Sequence, residues 1–138
     1  MTDTTATAAK SNLDLIRATY ENAPEENARH LRAILAPSAT WTEAAGFPYA
    51  GTYNGAEEIF ENVFKRLGSE WVGYKAVVHT YMADDDRVSA FGVYSGTYGK
   101  TGKSMSATFA HLYRLVDGKI VTMEQFVDSA TVQEALKA

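Results

Sequence analysis

From Ser104 to Leu115 the chain alternates strictly. Met105, Ala107, Phe109, His111, Tyr113 and Leu115 fall on one face, and Ser104, Ser106, Thr108, Ala110, Leu112 and Arg114 on the other. That period of two predicts a half-buried strand with a single histidine on its apolar face. A second run, Lys119 to Val127, follows Asp117-Gly118, a strong hairpin signal. A two-residue turn would set His111 opposite Glu124 and Leu115 opposite Ile120, mixing apolar with charged positions. A three-residue loop, Val116-Asp117-Gly118 with Gly118 left-handed, instead pairs Leu115 with Lys119, Tyr113 with Val121, His111 with Met123 and Phe109 with Gln125. A slip of one residue flips every side chain to the other face, so the register that keeps one face coherent is chosen. It predicts His111 and Gln125 as diagonal neighbours on adjacent strands, roughly 7–8 Å apart at the backbone and within reach of one ligand.

Residues 1–10 are small and polar and are expected to be a disordered tail, leaving 11–138 as one domain. Ser11 reads as an N-cap, with Leu13, Ile16 and Tyr20 forming a helical stripe to about Asn22. Pro24 opens a second helix with Ala28, Leu31, Ile34 and Leu35 facing inward, and Pro37 stops it. Ser38 to Ala44 is predicted as a strand with Trp41 and Glu43 on one face. Gly46, Pro48 and Gly51 break regular structure, and Phe47, Tyr49 and Tyr53 ride on that loop. Asn54 and Glu57 open a third helix whose apolar face is Ile59, Phe60, Val63, Phe64 and Leu67, and Gly68 closes it. Strands are then predicted over Trp71–Met82, Val88–Tyr98, Ser104–Val116 and Lys119–Val127, with a short helix from Thr131 to Lys137. Helices followed by an antiparallel meander make an α+β fold with a strongly curved sheet.

Composition narrows the chemistry. A chain of 138 residues fits one domain, and its 8 Tyr, 6 Phe and 2 Trp are many for that length; such aromatics line a pocket or fill a core. The net charge of −4 and the lack of a basic stripe argue against nucleic acid. Zero cysteines exclude disulfides, thiolate metal sites and cysteine nucleophiles, and fit a cytoplasmic setting. No apolar run reaches the ~20 residues of a membrane helix, so no membrane partner is expected. Asp84-Asp85-Asp86 lacks the spacing of a calcium loop, and His30, His79 and His111 lack that of a zinc site. Gly99-Lys-Thr-Gly102-Lys103-Ser104 is followed by a strand rather than a helix, and Ser95 sits one position late for a nucleophile elbow. No metal and no cofactor is expected.

The order of elements, with Trp41-Thr-Glu43, Pro48-Tyr-Ala-Gly51-Thr-Tyr-Asn-Gly55, Gly92-Val-Tyr-Ser-Gly96, Ala110-His111 and Asp117-Gly-Lys-Ile120 through Asp128-Ser-Ala130, resembles the SnoaL-like, ketosteroid-isomerase-related branch of the NTF2-like superfamily. The resemblance covers roughly residues 11–136. It implies a cone with an internal apolar pocket and a homodimer through the outer sheet face. It also implies that SnoaL-type cyclases carry a histidine where His111 stands and an acid-base aspartate where this chain has Gln125. Glutamine exchanges no proton at neutral pH.

The expected site therefore has Glu43, His111 and Gln125 as its chemical groups and Trp41, Tyr49, Phe60, Phe64, Tyr94, Phe109, Tyr113 and Met123 as its walls. His111 is either a general base or a buried histidine with both nitrogens satisfied. Glu43 is either a buried carboxylate with a raised pKa or a strand-end group facing water. Gln125 orients a polar group or ends its strand in solvent. Tyr49, Tyr94 and Tyr113 are donors for an oxyanion or simply wall, and Asp128 reads as a cap. Two functions stay open: acid-base chemistry of isomerase or cyclase type on a small apolar carbonyl-bearing molecule, and a non-catalytic binding module.

Overall fold

A computed structural model describes residues 4–138, with side chains from residue 11 onward. Helix α1 spans Thr4–Arg17. Its first part, residues 4–10, lies in the segment expected as a tail, where alanines without glycine or proline favour helix; residues 1–3 lie outside those described. The helix ends before Tyr20, which sits in a turn pinned by Asn27, whose Nδ2 donates to the Tyr20 and Asn22 carbonyls at 3.3 and 3.0 Å. Helix α2, Pro24–Ile34, has proline in its first turn as expected. It stops three residues before Pro37, because strand β1 already begins at Leu35 and runs to Glu43. Residues ahead of a proline avoid helical backbone.

The predicted loop hides a strand. Gly51–Asn54 forms β2 and pairs with the end of β1, Thr42 opposite Thr52. Between Gly51 and Asn54 only Thr52 and Tyr53 favour a strand, too short a run to announce one. Helix α3 then runs without a break through Gly55–Ile59, a π-helical middle Phe60–Phe64, and Lys65–Glu70. Glu58 rather than Glu57 accepts the Asn54 N–H, at 3.0 Å. Gly68 does not end the helix: its backbone stays right-handed and the helix runs on to Glu70.

Strands β3 (Trp71–Asp84), β4 (Arg87–Tyr98), β5 (Ser104–Val116) and β6 (Lys119–Val127) complete one six-stranded sheet in the order β2-β1-β6-β5-β4-β3. All neighbours are antiparallel except β1 and β6. Helix α4, Ser129–Leu136, closes the chain, with Asp128 accepting from the Thr131 N–H at 3.2 Å. Helices α1, α2 and α3 pack on the inner face of the sheet in one buried cluster with Tyr113, Leu115 and Met123, and α4 packs on the same face in a second with Met105, Ala107 and Phe109.

Two of the sheet's four register shifts change how its strands pack and pair. In the β3–β4 pair the register shifts between Val78 and Thr80. Opposite that shift a Cβ on Gly92 would overlap the Val77 carbonyl oxygen. Gly92→Ala is expected to cost about 3 kcal/mol through this overlap, read as a lower urea midpoint; an unchanged midpoint would mean that the strands do not approach so closely there.

The second irregularity corrects the predicted hairpin. The turn is the two-residue Asp117-Gly118 type, both residues left-handed (φ 50° and 74°), with Val116 opposite Lys119. A bulge then inserts Val121 between the pairs Leu115–Ile120 and Arg114–Thr122. The extra residue flips the alternation, so that Tyr113 faces Met123 and His111 faces Gln125 directly rather than diagonally. The apolar face is preserved, but by a bulge instead of a longer loop.

Candidate active site

Packed between the concave sheet and the helices is a cavity of about 1260 Å³, lined among others by Tyr20, Trp41, Glu43, Phe47, Phe60, Phe64, Trp71, Tyr74, Tyr94, His111, Tyr113 and Gln125. Strands β1, β5 and β6 lie side by side and bring the three expected chemical groups to one region. Glu43, His111 and Gln125 are all buried.

Gln125 is fixed at both ends. Its Oε1 accepts the Ala44 N–H at 3.0 Å, which aims its Nε2 at the Tyr94 hydroxyl, 2.9 Å away. That hydroxyl also bonds His111 Nε2, while His111 Nδ1 shares a 2.5 Å bond with the Tyr20 hydroxyl, and Tyr20 in turn meets the Tyr113 hydroxyl at 2.5 Å. Burial drives the His111 pKa down to about 3, so the ring is neutral and carries one proton. Each of Tyr94, His111, Tyr20 and Tyr113 then brings one proton to three shared bonds. One tyrosine O–H is left over from these bonds, whichever tautomer the ring adopts.

Glu43 faces inward, 5 % exposed. Its Oε1 accepts the Trp41 indole N–H at 3.0 Å, and its Oε2 has no partner in the protein. Burial raises its pKa to about 7, against the opposing pull of the Trp41 N–H and the Gln125 amide. A neutral carboxyl with a free oxygen, in an aromatic chamber, is suited to exchanging a proton near neutral pH.

Among the predicted walls, Trp41, Phe60, Phe64, Tyr94 and Tyr113 line the cavity. Tyr49, Phe109 and Met123 do not, and are corrected to core. The Tyr49 hydroxyl is occupied, donating to Glu70 at 2.9 Å and accepting from Trp71 Nε1 at 3.0 Å. Phe109 stacks on Tyr94 with ring centres 4.1 Å apart, and Met123 is 1 % exposed beside Trp41, its register partner on the adjacent strand.

Tyr20, Phe47, Trp71 and Tyr74 are cavity residues that sequence patterning did not place there. Tyr20 reads as part of a helical stripe four residues after Ile16, with no sign that the helix has ended before it. Tyr74 depends on a register shift between Val72 and Lys75, beside Gly73 at φ 64°. The Gly73-Tyr74 pair was the available signal, since an isolated glycine within a strand marks a bulge.

The profile of the SnoaL-like domain family matches residues 16–123. Among solved structures, an NTF2-like protein from Burkholderia thailandensis is 42% identical with a TM-score of 0.88, the match covering 92% of this chain and 98% of that one. TerC, co-crystallised with polyporic acid, is 22% identical with a TM-score of 0.80, covering 93% and 99%. A putative SnoaL-like polyketide cyclase from Jannaschia is 18% identical with a TM-score of 0.79, covering 95% and 94%. No curated protein matches the chain. Among the described residues, no helix is long and apolar enough to cross a membrane.

Proposed function

The chain belongs to the SnoaL-like domain family, and we propose that it performs cofactor-independent acid-base chemistry, of isomerase or cyclase type, on a small apolar carbonyl-bearing molecule held in the cavity. The observation that carries this reading is Glu43, a buried carboxyl with one oxygen unpartnered and a pKa raised to about 7. As carboxylate, Oε2 takes a proton from the carbon beside the carbonyl. The C–H electron pair moves into the enolate, and the same oxygen returns the proton to a different carbon. His111 does not move the proton in this scheme. Neutral and bonded at both nitrogens, it is a strut that holds Tyr20 and Tyr94 in place and leaves a tyrosine O–H to meet the developing oxyanion.

The test is hydrogen–deuterium exchange at the activated carbon of β-tetralone in deuterium oxide, followed by proton NMR. The wild-type protein is expected to exceed the buffer rate and Glu43→Gln to return to it. Equal rates in the two proteins would refute the assignment.

A binding module is the second reading, favoured by Gln125. Both ends of its amide are committed within the protein, at the position where the cyclase resemblance puts an aspartate. TerC, of the same fold, was co-crystallised with a small molecule. Binding of β-tetralone without any exchange above the buffer rate would select it.

The cysteine-free chain is taken to work in the cytoplasm, as a homodimer through the outer sheet face. There Phe91, Ala110 and Phe126 stand in register across β4, β5 and β6, with Phe126 52 % exposed. Apolar surface of this kind marks an interface. Sedimentation should give a dimer that Phe126→Lys converts to monomer; a wild-type monomer would refute the interface.

A further inference from the structure

We infer that Tyr74 is a further substrate-reading residue, whose hydroxyl donates to the carbonyl oxygen of a ligand while Glu43 Oε2 faces the adjacent acidic C–H or O–H. The preferred class is therefore a flat, neutral molecule with an oxygen acceptor next to a proton that can be lost, an enolisable aryl ketone or its enol. This rests on the reading of Glu43 as the group that takes the proton.

Three observations single out Tyr74. Its hydroxyl is shut off from solvent and has no partner in the protein, whereas Tyr94, Tyr113 and Tyr20 each have at least one partner in the chain around His111, so Tyr74 acts beside the one O–H that chain leaves over. Such an orphan is costly, roughly 1–3 kcal/mol, unless something else accepts its proton. The cavity that Tyr74 lines also holds the orphan acceptor, Glu43 Oε2. The two are near enough that the carboxylate charge helps to raise the tyrosine pKa, second only to burial. Finally, the backbone is shaped to aim this side chain. Gly73 is left-handed, the β3 register gains a residue between Val72 and Lys75, and a Cβ on Gly96 opposite would sit 3.2 Å from the Tyr74 Cα. Bulges beside active sites re-aim side chains in this way. Trp71 and Tyr94 then clamp the ring, at centroid distances of 5.8 and 5.5 Å.

In the exchange reaction, the C–H bond breaks toward Glu43 Oε2 and its electron pair ends on the carbonyl oxygen. Tyr74 keeps its proton and strengthens its hydrogen bond as that oxygen becomes negative. β-Naphthol, an enol mimic, offers both functions at once: its O–H meets Glu43 and its oxygen accepts from Tyr74. Naphthalene offers neither.

The experiment measures binding of β-naphthol and naphthalene by tryptophan fluorescence, and β-tetralone exchange by NMR, in wild-type, Tyr74→Phe and Tyr81→Phe proteins. Tyr81 is the control, because its hydroxyl is likewise buried and unpartnered but is not among the residues lining the cavity. Tyr74→Phe is expected to weaken β-naphthol about tenfold and to slow exchange about 100-fold, leaving naphthalene affinity unchanged. Tyr81→Phe should leave all three as in wild type. The inference is overturned if wild type binds β-naphthol no better than naphthalene, or if Tyr74→Phe matches wild type for β-naphthol. Naphthol selectivity that depends on Tyr74 without any exchange would keep the inference and discard the proton-transfer reading; exchange that needs Glu43 but not Tyr74 would do the reverse.

Discussion

Glu43→Gln is expected to lose proton exchange by about 1000-fold and, above pH 7, to be more stable than the wild-type protein. The two effects share a cause. Glutamine keeps the shape and an oxygen for the Trp41 N–H but cannot take a proton. The wild-type carboxyl has a folded pKa of about 7 against an ordinary 4.5. Its favourable protonated form is fully present below pH 4.5, and that stability is lost as pH rises toward the folded value. The interval corresponds to roughly 3 kcal/mol at about 1.4 kcal/mol per pH unit. Urea denaturation at pH 8 should show Glu43→Gln ahead by up to that amount, since a chemically tuned group is held at the expense of the fold. A variant less stable at pH 8, with full exchange activity, would contradict both halves.

His111 carries the second large effect, and its sign is opposite. Its folded pKa is about 3 against an ordinary 6.5, lowered by burial. The neutral ring therefore contributes stability that is fully present above pH 6.5 and is lost as pH falls toward 3, roughly 5 kcal/mol over the whole interval. Between pH 4.5 and 6.5 the folded state holds a proton on Glu43 that the unfolded chain has released, while the unfolded chain holds one on His111 that the folded state lacks. The two slopes cancel there, so these groups leave wild-type stability flat. Glu43→Gln removes one of them and is expected to lose about 3 kcal/mol between pH 6.5 and 4.5. Parallel stability curves for the two proteins across that window would show that the groups are not buried as described.

Much of the fold was legible because it rests on local patterns. Strands β5 and β6 begin and end where alternation and Asp117-Gly118 place them, and Asp128 caps α4 as its position implies. The bulge at Val121 was not legible. A hairpin of fixed turn length admits only one parity unless a residue is inserted, and nothing in Ile120-Val-Thr122 marks the insertion. Its effect was nonetheless visible in the pattern, as the need for Met123 and Gln125 to share a face with Tyr113 and His111. Glu43, His111 and Gln125 could be assembled because each is a polar residue on an apolar strand face. Tyr20 and Tyr74 could not, since their positions depend on where a helix ends and on how a glycine bends a strand. Tyr49 fails in the other direction. An aromatic on a glycine-rich loop suggests a pocket, yet its hydroxyl is absorbed by Glu70 and Trp71.

The central claim is that Glu43 is a buried carboxyl poised to gain and lose a proton near neutral pH. The most direct measurement is a carbon-13 NMR titration of its side-chain carboxyl, assigned by comparison with Glu43→Gln. The expected midpoint is about 7, tracked by the pH dependence of β-tetralone exchange. A midpoint near 4.5, with exchange indifferent to it, would contradict the claim.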